Sequence, residues 1–176
     1  MRYICMTVVA TLALAGTSFA QSEAIAWGNC YDQCDVPTGE AFVQVAAGLS
    51  HTIGLRADGT AIAWGENYYG QCDVPVGENF MKVAAGRYFT IGLRADGTAI
   101  AWGRNNSGQC NVPSGETFVQ VSAGYEYAIG LRADGTAIAW GKNSHPQGTG
   151  QCDVPTGETF VQVAAGIYST IGLRAD

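Results

Sequence analysis

Charge is scarce in this chain. Of 176 residues only 14% are charged, and the nine Lys and Arg are scattered without a cluster. The formal net charge is −6. Nucleic acid or an anionic membrane is therefore not expected as a partner, since both need a basic footprint. Histidine is almost absent, with two residues in all. No nucleophile motif accompanies them, and no Asp/Glu pair stands at a distinctive place, so catalysis finds almost no support. A zinc site would need a second close cysteine pair, which is missing, and no cofactor is called for. Helical periodicity is lacking too, because Gly or Pro interrupts every candidate window. The 24 glycines recur at fixed offsets, which indicates turns rather than a flexible linker.

One apolar run stands apart, Ile4 to Ala15, after the basic Arg2. With Ser18-Phe19-Ala20 before Gln21, residues 1–20 read as a secretory signal peptide. The run is short for a core of about 30 Å, which favours removal over anchoring. The mature chain, residues 21–176, is then expected to be secreted, periplasmic or at the cell surface, with no membrane contact after cleavage. That setting permits disulfides. Loss of Arg2 takes the net charge from −6 to −7.

The remainder is repetitive. Trp27, Trp64, Trp102 and Trp140 are spaced 37, 38 and 38 residues apart, and Cys34, Cys72, Cys110 and Cys152 are spaced 38, 38 and 42 apart. The four extra residues fall in one loop, 142–150, as expected of a stacked repeat. Each unit holds three strands with period-2 alternation, for which Phe80 to Ala85, Thr90 to Ala95 and Thr98 to Trp102 are the example. Asp58-Gly59, Asp96-Gly97 and Asp134-Gly135 join the second strand to the third, in the pattern of a type I′ turn. Ala99 and Ala101 point to one side of the sheet, Ile100 and Trp102 to the other. Small residues on one face admit a neighbouring sheet, and such sheets bury their faces only by stacking.

Gly48-Leu49-Ser50-His51-Thr52-Ile53-Gly54-Leu55, Asp58-Gly59 and Trp64-Gly65-Glu66-Asn67-Tyr68-Tyr69-Gly70-Gln71 together resemble the regulator of chromosome condensation repeat. The resemblance covers residues 23–176 and recurs four times. It implies an all-β propeller-type array, here of four short three-stranded blades. The family's Leu after Gln is Cys in this chain, and its His survives only as His51, with Phe89, Tyr127 and Ser169 at the matching places. The short repeat is similar to the secreted β-lactamase-inhibiting branch; the family's nuclear exchange activity is not carried over, given the export signal and the absence of matching partner-reading residues. Glu23-Ala24-Ile25-Ala26-Trp27-Gly28 has the sequence of the third strand that the last unit lacks and is able to complete it. A tight ring, an arc completed by a second chain and a truncated gene all remain open.

Strand direction gathers the residues after each Gly, and the loops after each Trp-Gly, on one face. The other face carries repeated Asp-Gly and Gly-Glu turns, reached by a Cys-Asp-Val-Pro outer strand. Tyr68, Tyr69, Arg87, Tyr88, Phe89, Tyr125, Glu126, Tyr127 and Tyr168 are the candidate partner-binding residues, because Tyr, Phe and Arg anchor protein interfaces. The competing reading packs Tyr88, Tyr127 and Tyr168 between blades. Cys34, Cys72, Cys110 and Cys152 read as small buried residues, while Cys30, four residues before Cys34, is placed for a local disulfide. Asp35, Asp73 and Asp153, with Asn111, read as turn caps. The chain is thus expected to be an exported protein-binding or scaffold module without catalysis, able to self-associate into a ring. A carbohydrate-active propeller enzyme and an inert fragment of a surface repeat protein are the alternatives.

Overall fold

A computed structural model describes residues 24–28, 32–145 and 148–174. Residues 1–23, which include the expected signal, lie outside the described residues, as does Cys30. After one 3₁₀ turn at Asp32–Cys34, every element among the described residues is a strand. The first blade is β1 (Gln44–Ala47), β2 (His51–Leu55) and β3 (Ala61–Gly65). The second is β4 (Lys82–Ala85), β5 (Phe89–Leu93) and β6 (Ala99–Gly103). The third is β7 (Gln120–Ala123), β8 (Tyr127–Leu131) and β9 (Ala137–Gly141). A small hairpin, β10 (Ser144–His145) with β11 (Gly148–Thr149), occupies the long loop. The fourth blade has only β12 (Phe160–Ala165) and β13 (Thr170–Arg174) among the described residues.

Each complete blade is an antiparallel meander in one register, with Ile53 opposite Ala63, Ile91 opposite Ala101 and Ile129 opposite Ala139. The first strands β1, β4, β7 and β12 lie side by side at the centre of the array. Their side chains tie neighbour to neighbour. Gln44 Nε2 donates to the Val83 carbonyl at 2.9 Å and its Oε1 accepts from Val83 N–H at 3.1 Å. Gln120 does the same to Val163. Lys82, which can only donate, reaches the Val119 carbonyl at 2.9 Å.

The core lies between blades. Ile53 and Leu55, with Ala61 and Ala63 beside them, face Phe80, Val83, Ile100 and Trp102 of the second blade. The second blade's Ile91, Leu93, Ala99 and Ala101 face Phe118, Val121, Ile138 and Trp140 in the same manner. The bulky face of one sheet thus enters the alanine face of the one before it. The aromatic pair is fixed by stacking, with Phe118 and Trp140 at 5.7 Å and 23°. It also needs the glycine of the middle strand, since a Cβ on Gly130 would lie 2.4 Å from the Phe118 ring. This explains why the ladder starts later than the alternation suggests. Phe80 turns inward over Gly92, and pairing begins at Lys82.

The hairpins differ from expectation. Asp58 does not adopt positive φ, whereas Gly59 does, at 85°. Gly59 N–H bonds the Arg56 carbonyl and Arg56 N–H the Thr60 carbonyl, giving a three-residue loop with Gly in the left-handed position rather than a type I′ turn. Asp58 Oδ1 then caps Thr60 N–H at 2.9 Å and its hydroxyl at 2.7 Å, and Asp96 and Asp134 repeat this. The turn also joins blades, because the Gly97 carbonyl accepts Phe118 N–H at 2.7 Å. Cys-Asp-Val-Pro forms no strand; it crosses without ladder bonds while Val74, Val112 and Val154 pack onto the cores. The repeated Gly-Glu turn pairs with the hairpin: Arg94 Nε donates to Glu78 Oε2 at 2.5 Å and Nη2 to Oε1 at 2.8 Å. Arg56–Glu40, Arg132–Glu116 and Arg174–Glu158 repeat the pair. The Arg hydrogen bond holds the Glu40, Glu78 and Glu116 carboxyls below their ordinary value.

Trp140 carries the heaviest test of this packing, since its ring is buried and its Nε1–H donates to the Gln109 carbonyl at 3.0 Å. Trp140→Ala is expected to cost about 3–5 kcal/mol, while Tyr68→Ala, whose ring is exposed, leaves the urea midpoint nearly unchanged. Equal small effects would place the tryptophan outside the core.

Candidate functional site

The candidate face is built by the Trp-Gly step. Gly103 has φ 104°, and a Cβ there would meet the Tyr88 carbonyl at 2.6 Å and Gln71 Cα at 3.2 Å. Only glycine lets the third strand turn outward while the preceding loop passes this close. That loop is hooked to the next blade by its Gln. The Gln71 carbonyl accepts both Trp102 Nε1–H at 3.1 Å and the Thr90 hydroxyl at 2.9 Å, while the Gln71 side chain accepts Tyr69 N–H at 2.9 Å. Arg104 N–H, one residue past Gly103, bonds the Tyr88 carbonyl at 2.8 Å. The loops after Trp-Gly and the turns after β1, β4, β7 and β12 therefore meet on one face.

On that face the rings form a line from the loop after blade one across the turns of blades two, three and four. Tyr68 meets Tyr69 edge-on at 5.0 Å, Tyr69 meets Tyr88 at 5.2 Å, and Tyr125 meets Tyr168 at 5.5 Å. The Arg87 guanidinium closes the gap, 4.6 Å above Tyr88 and 4.2 Å above Tyr125. Arg104 lies 5.3 Å from the Tyr69 ring and 5.9 Å from Tyr88. Such contacts contribute roughly 0.5–1 kcal/mol each at exposed sites, so they preorganise the rings more than they stabilise the chain.

Glu126 sits beneath this line and collects three cations. Lys142 Nζ is 2.9 Å from Oε2, and Arg104 Nη1 and Arg87 Nη1 are 3.3 and 3.4 Å from Oε1. Burial pushes the Glu126 carboxyl up, but the Lys142 hydrogen bond and the three positive charges outweigh it, and the net shift is down. Glu126 is therefore an anion at neutral pH. One carboxylate against three cations leaves the patch positive on an otherwise acidic protein. The Nε–H groups of Arg87 and Arg104 are buried without a hydrogen-bond partner.

The structure thus brings together Tyr68, Tyr69, Arg87, Tyr88, Tyr125, Glu126 and Tyr168. It does not bring Phe89 or Tyr127 to the surface. Both begin a middle strand and point between blades, over Gly86 and Gly124, where an added Cβ would lie 2.0 and 2.2 Å from their rings. Phe89 and Ala128 are both fully buried in the same core cluster. Tyr127 gives its hydroxyl proton to the Ser169 carbonyl at 2.6 Å, and Thr170 Oγ1 stands 3.1 Å from the same oxygen, so its tip is not wet. These two leave the candidate set because their surfaces are already occupied. Arg104 and Lys142 join it. Their signal was positional, since each directly follows a Trp-Gly.

His51 occupies the place of Phe89 and Tyr127 in the first blade. The Thr90 hydroxyl gives its proton to the Gln71 carbonyl, so His51 Nε2 must donate to Thr90 Oγ1, at 2.9 Å. Nδ1 is buried with no partner. Burial pulls the His51 pKa down to about 4, which makes it a neutral packing residue.

Cys72, Cys110 and Cys152 are free, neutral thiols. Cys72 and Cys152 are pushed up to about 11 and Cys110 to about 12, by burial first, and their thiols donate to the carbonyls of Glu66, Lys142 and Arg104. Cys34 is disulfide-bonded, and Cys30, its expected partner, lies outside the described residues. Asp73, Asn111 and Asp153 accept the amides of Asn67, Asn105 and Asn143, whose own oxygens cap Cys72, Cys110 and Cys152 N–H. Among the described residues, no group of three His, Cys, Asp or Glu side chains is placed to hold a metal.

The family model for the Regulator of chromosome condensation (RCC1) repeat matches residues 42–71, 82–109 and 118–147, half of the chain. No curated protein matches. Among solved structures, the entire ectodomain of the Physcomitrella patens receptor kinase CR4 is similar, with 26% identity, a TM-score of 0.69, 82% of this chain covered and 38% of that one. The CRINKLY WD40 ectodomain of the Arabidopsis thaliana receptor kinase ACR4 gives 26% identity, TM-score 0.64, and coverage of 80% and 48%. Prp20p from Saccharomyces cerevisiae gives 19%, 0.61, 80% and 46%, a likeness of fold alone. This chain therefore spans less than half of each of these proteins.

The unfolded chain protonates His51 near pH 6.5 and the folded chain only near 4, so stability falls as pH drops through that window, by about 3 kcal/mol in all. His51→Phe, the residue blade two uses there, removes this loss. Urea midpoints at pH 7 and pH 4.5 check it: wild type should lose more than the variant, and equal losses would contradict the buried neutral imidazole.

Proposed function

The chain belongs to the regulator of chromosome condensation (RCC1) repeat family, and from that premise we propose that it is an exported protein-binding module without catalysis. The line of Tyr68, Tyr69, Tyr88, Tyr125 and Tyr168 threaded by Arg87 and Arg104 is the observation that carries the reading. Tyr and Arg bury large area at low entropic cost, and here they are held by one another before any partner arrives. With three cations around one carboxylate, the fitting partner is a protein surface that presents carboxylates between apolar groups.

Export rests on residues 1–20 and on the similarity to two receptor ectodomains. It places the working chain outside the cytoplasm, secreted, periplasmic or at the surface, with residues 21–176 as the mature module. Protein binding also occurs on this fold elsewhere: Prp20p from Saccharomyces cerevisiae has binding properties to Gsp1p and histones, and yeast RCC1 (Prp20) is bound by Kap60. Self-association to complete a ring belongs to the same reading.

A photo-crosslinking residue at Tyr68 tests the face, with Val76, fully exposed elsewhere, as control. Expected is a partner band from position 68 that weakens at least tenfold when Arg104→Ala is added. A band of equal strength from position 76, or one indifferent to Arg104, would overturn the reading. The amino terminus of the exported chain should begin at Gln21.

A further inference from the structure

Three blades show what a covered sheet looks like, and the fourth departs from it. Ile53, Ile91 and Ile129, with Leu55, Leu93 and Leu131, are at most 3% exposed. Ile171 and Leu173, at the same places in the fourth blade, are 71% and 60% exposed. At the opposite end of the array Val45 is 49% exposed, while Val83, Val121 and Val163 are buried. Among the described residues, then, two flanks are open, one of each kind that meets inside the array.

The other side of the fourth sheet holds a groove of about 570 Å³, lined by Gln151, Phe160, Val163, Thr170 and Gly172 among others. In blade two the corresponding space is filled by β6. Trp102 pairs with Thr90, stacks on Phe80 at 5.7 Å and donates to the Gln71 carbonyl, and Ile100 pairs with Gly92. Thr170 and Gly172 stand where Thr90 and Gly92 stand. The Gln151 carbonyl already accepts the Thr170 hydroxyl at 2.7 Å, as the Gln71 carbonyl accepts that of Thr90. Each contact for an Ile-Ala-Trp strand is present.

The chain contains one more such strand. Ala24-Ile25-Ala26-Trp27-Gly28 repeats β3 residue for residue, and Gly28 takes φ 117°, close to the 101° of Gly65. No strand pairing involves it, and Ile25 and Trp27 are 80% and 85% exposed. Its tether decides where it can go. The Gln33 carbonyl is fixed on blade one by Trp64 Nε1–H at 2.9 Å and the Thr52 hydroxyl at 3.2 Å. Six residues reach about 20 Å at full extension, so Trp27 stays beside blade one. The chain's own groove lies three blades along the array, beyond β7 and β8, against which β12 packs.

We propose that Ala24–Gly28 of one copy is the third strand of the fourth blade in a second copy, and the reverse. This rests on the self-association reading, not on the tyrosine face. The covalent order agrees with it, because in every inner junction a third strand leads directly into the blade that packs next. The donor's blade one then sets its Phe42–Trp64 flank, stacked at 5.6 Å, against the acceptor's Ile171 and Leu173. Two such junctions close a two-fold dimer of eight blades, within the range of propellers.

Light scattering on the purified chain tests this, with Trp27→Ala and Leu173→Asp, both changes at sites exposed in the single chain. Expected are twice the chain mass for wild type, the single mass for both variants at 10 µM, and circular dichroism that keeps its sheet signal. A monomeric wild type overturns strand exchange and self-association together. A dimeric Trp27→Ala overturns strand exchange alone and leaves self-association standing.

Discussion

An aromatic pair from one sheet seated on the alanine face of the sheet before it is the contact on which the rest depends. Phe80 with Trp102, and Phe118 with Trp140, supply the bulk. Ala61, Ala63, Ala99 and Ala101 supply the room. A three-stranded sheet of four- and five-residue strands has too little area to bury its own faces. The neighbour is therefore part of each blade's core, and the order of blades along the array follows from which face is bulky and which is small. The same requirement makes the array's two open flanks complementary.

Much of this was legible in the residues. The Trp and Cys spacing set the repeat, alternation placed small and large residues on opposite faces, and strand direction put Tyr68, Tyr88 and Arg87 on one rim. What escaped had physical reasons. Alternation marks which way a side chain faces but not where backbone pairing starts, so Phe80 was read into a ladder that begins at Lys82. Asp-Gly serves two hairpin geometries, and the Asp58–Thr60 bonds choose the three-residue loop. Phe89 and Tyr127 follow the same Gly-x-x spacing as exposed residues, and only the glycine beneath their rings shows that they turn inward. The Glu78–Arg94 pair spans sixteen residues and recurs in every blade, a regularity visible in the sequence whose meaning needs the hairpin's position.

The candidate face is a by-product of the same construction. Because Gly103 must turn the strand outward beneath the passing Gln71 loop, the next residue, Arg104, is delivered to the rim regardless of its identity. Side chains there carry little of the core's burden and are free to vary between repeats, as Arg87, Tyr125 and Ile167 do at successive turns. Their clustering around Glu126 is therefore a property of the loops laid on a uniform scaffold.

The central claim is that no blade stands without its neighbour. Thermal circular dichroism of an excised single blade, residues 79–111, beside the whole chain measures this most directly. The single blade should show no cooperative transition at any temperature while the whole chain melts cooperatively. A cooperative melt of the excised blade would contradict the claim that its core lies between sheets.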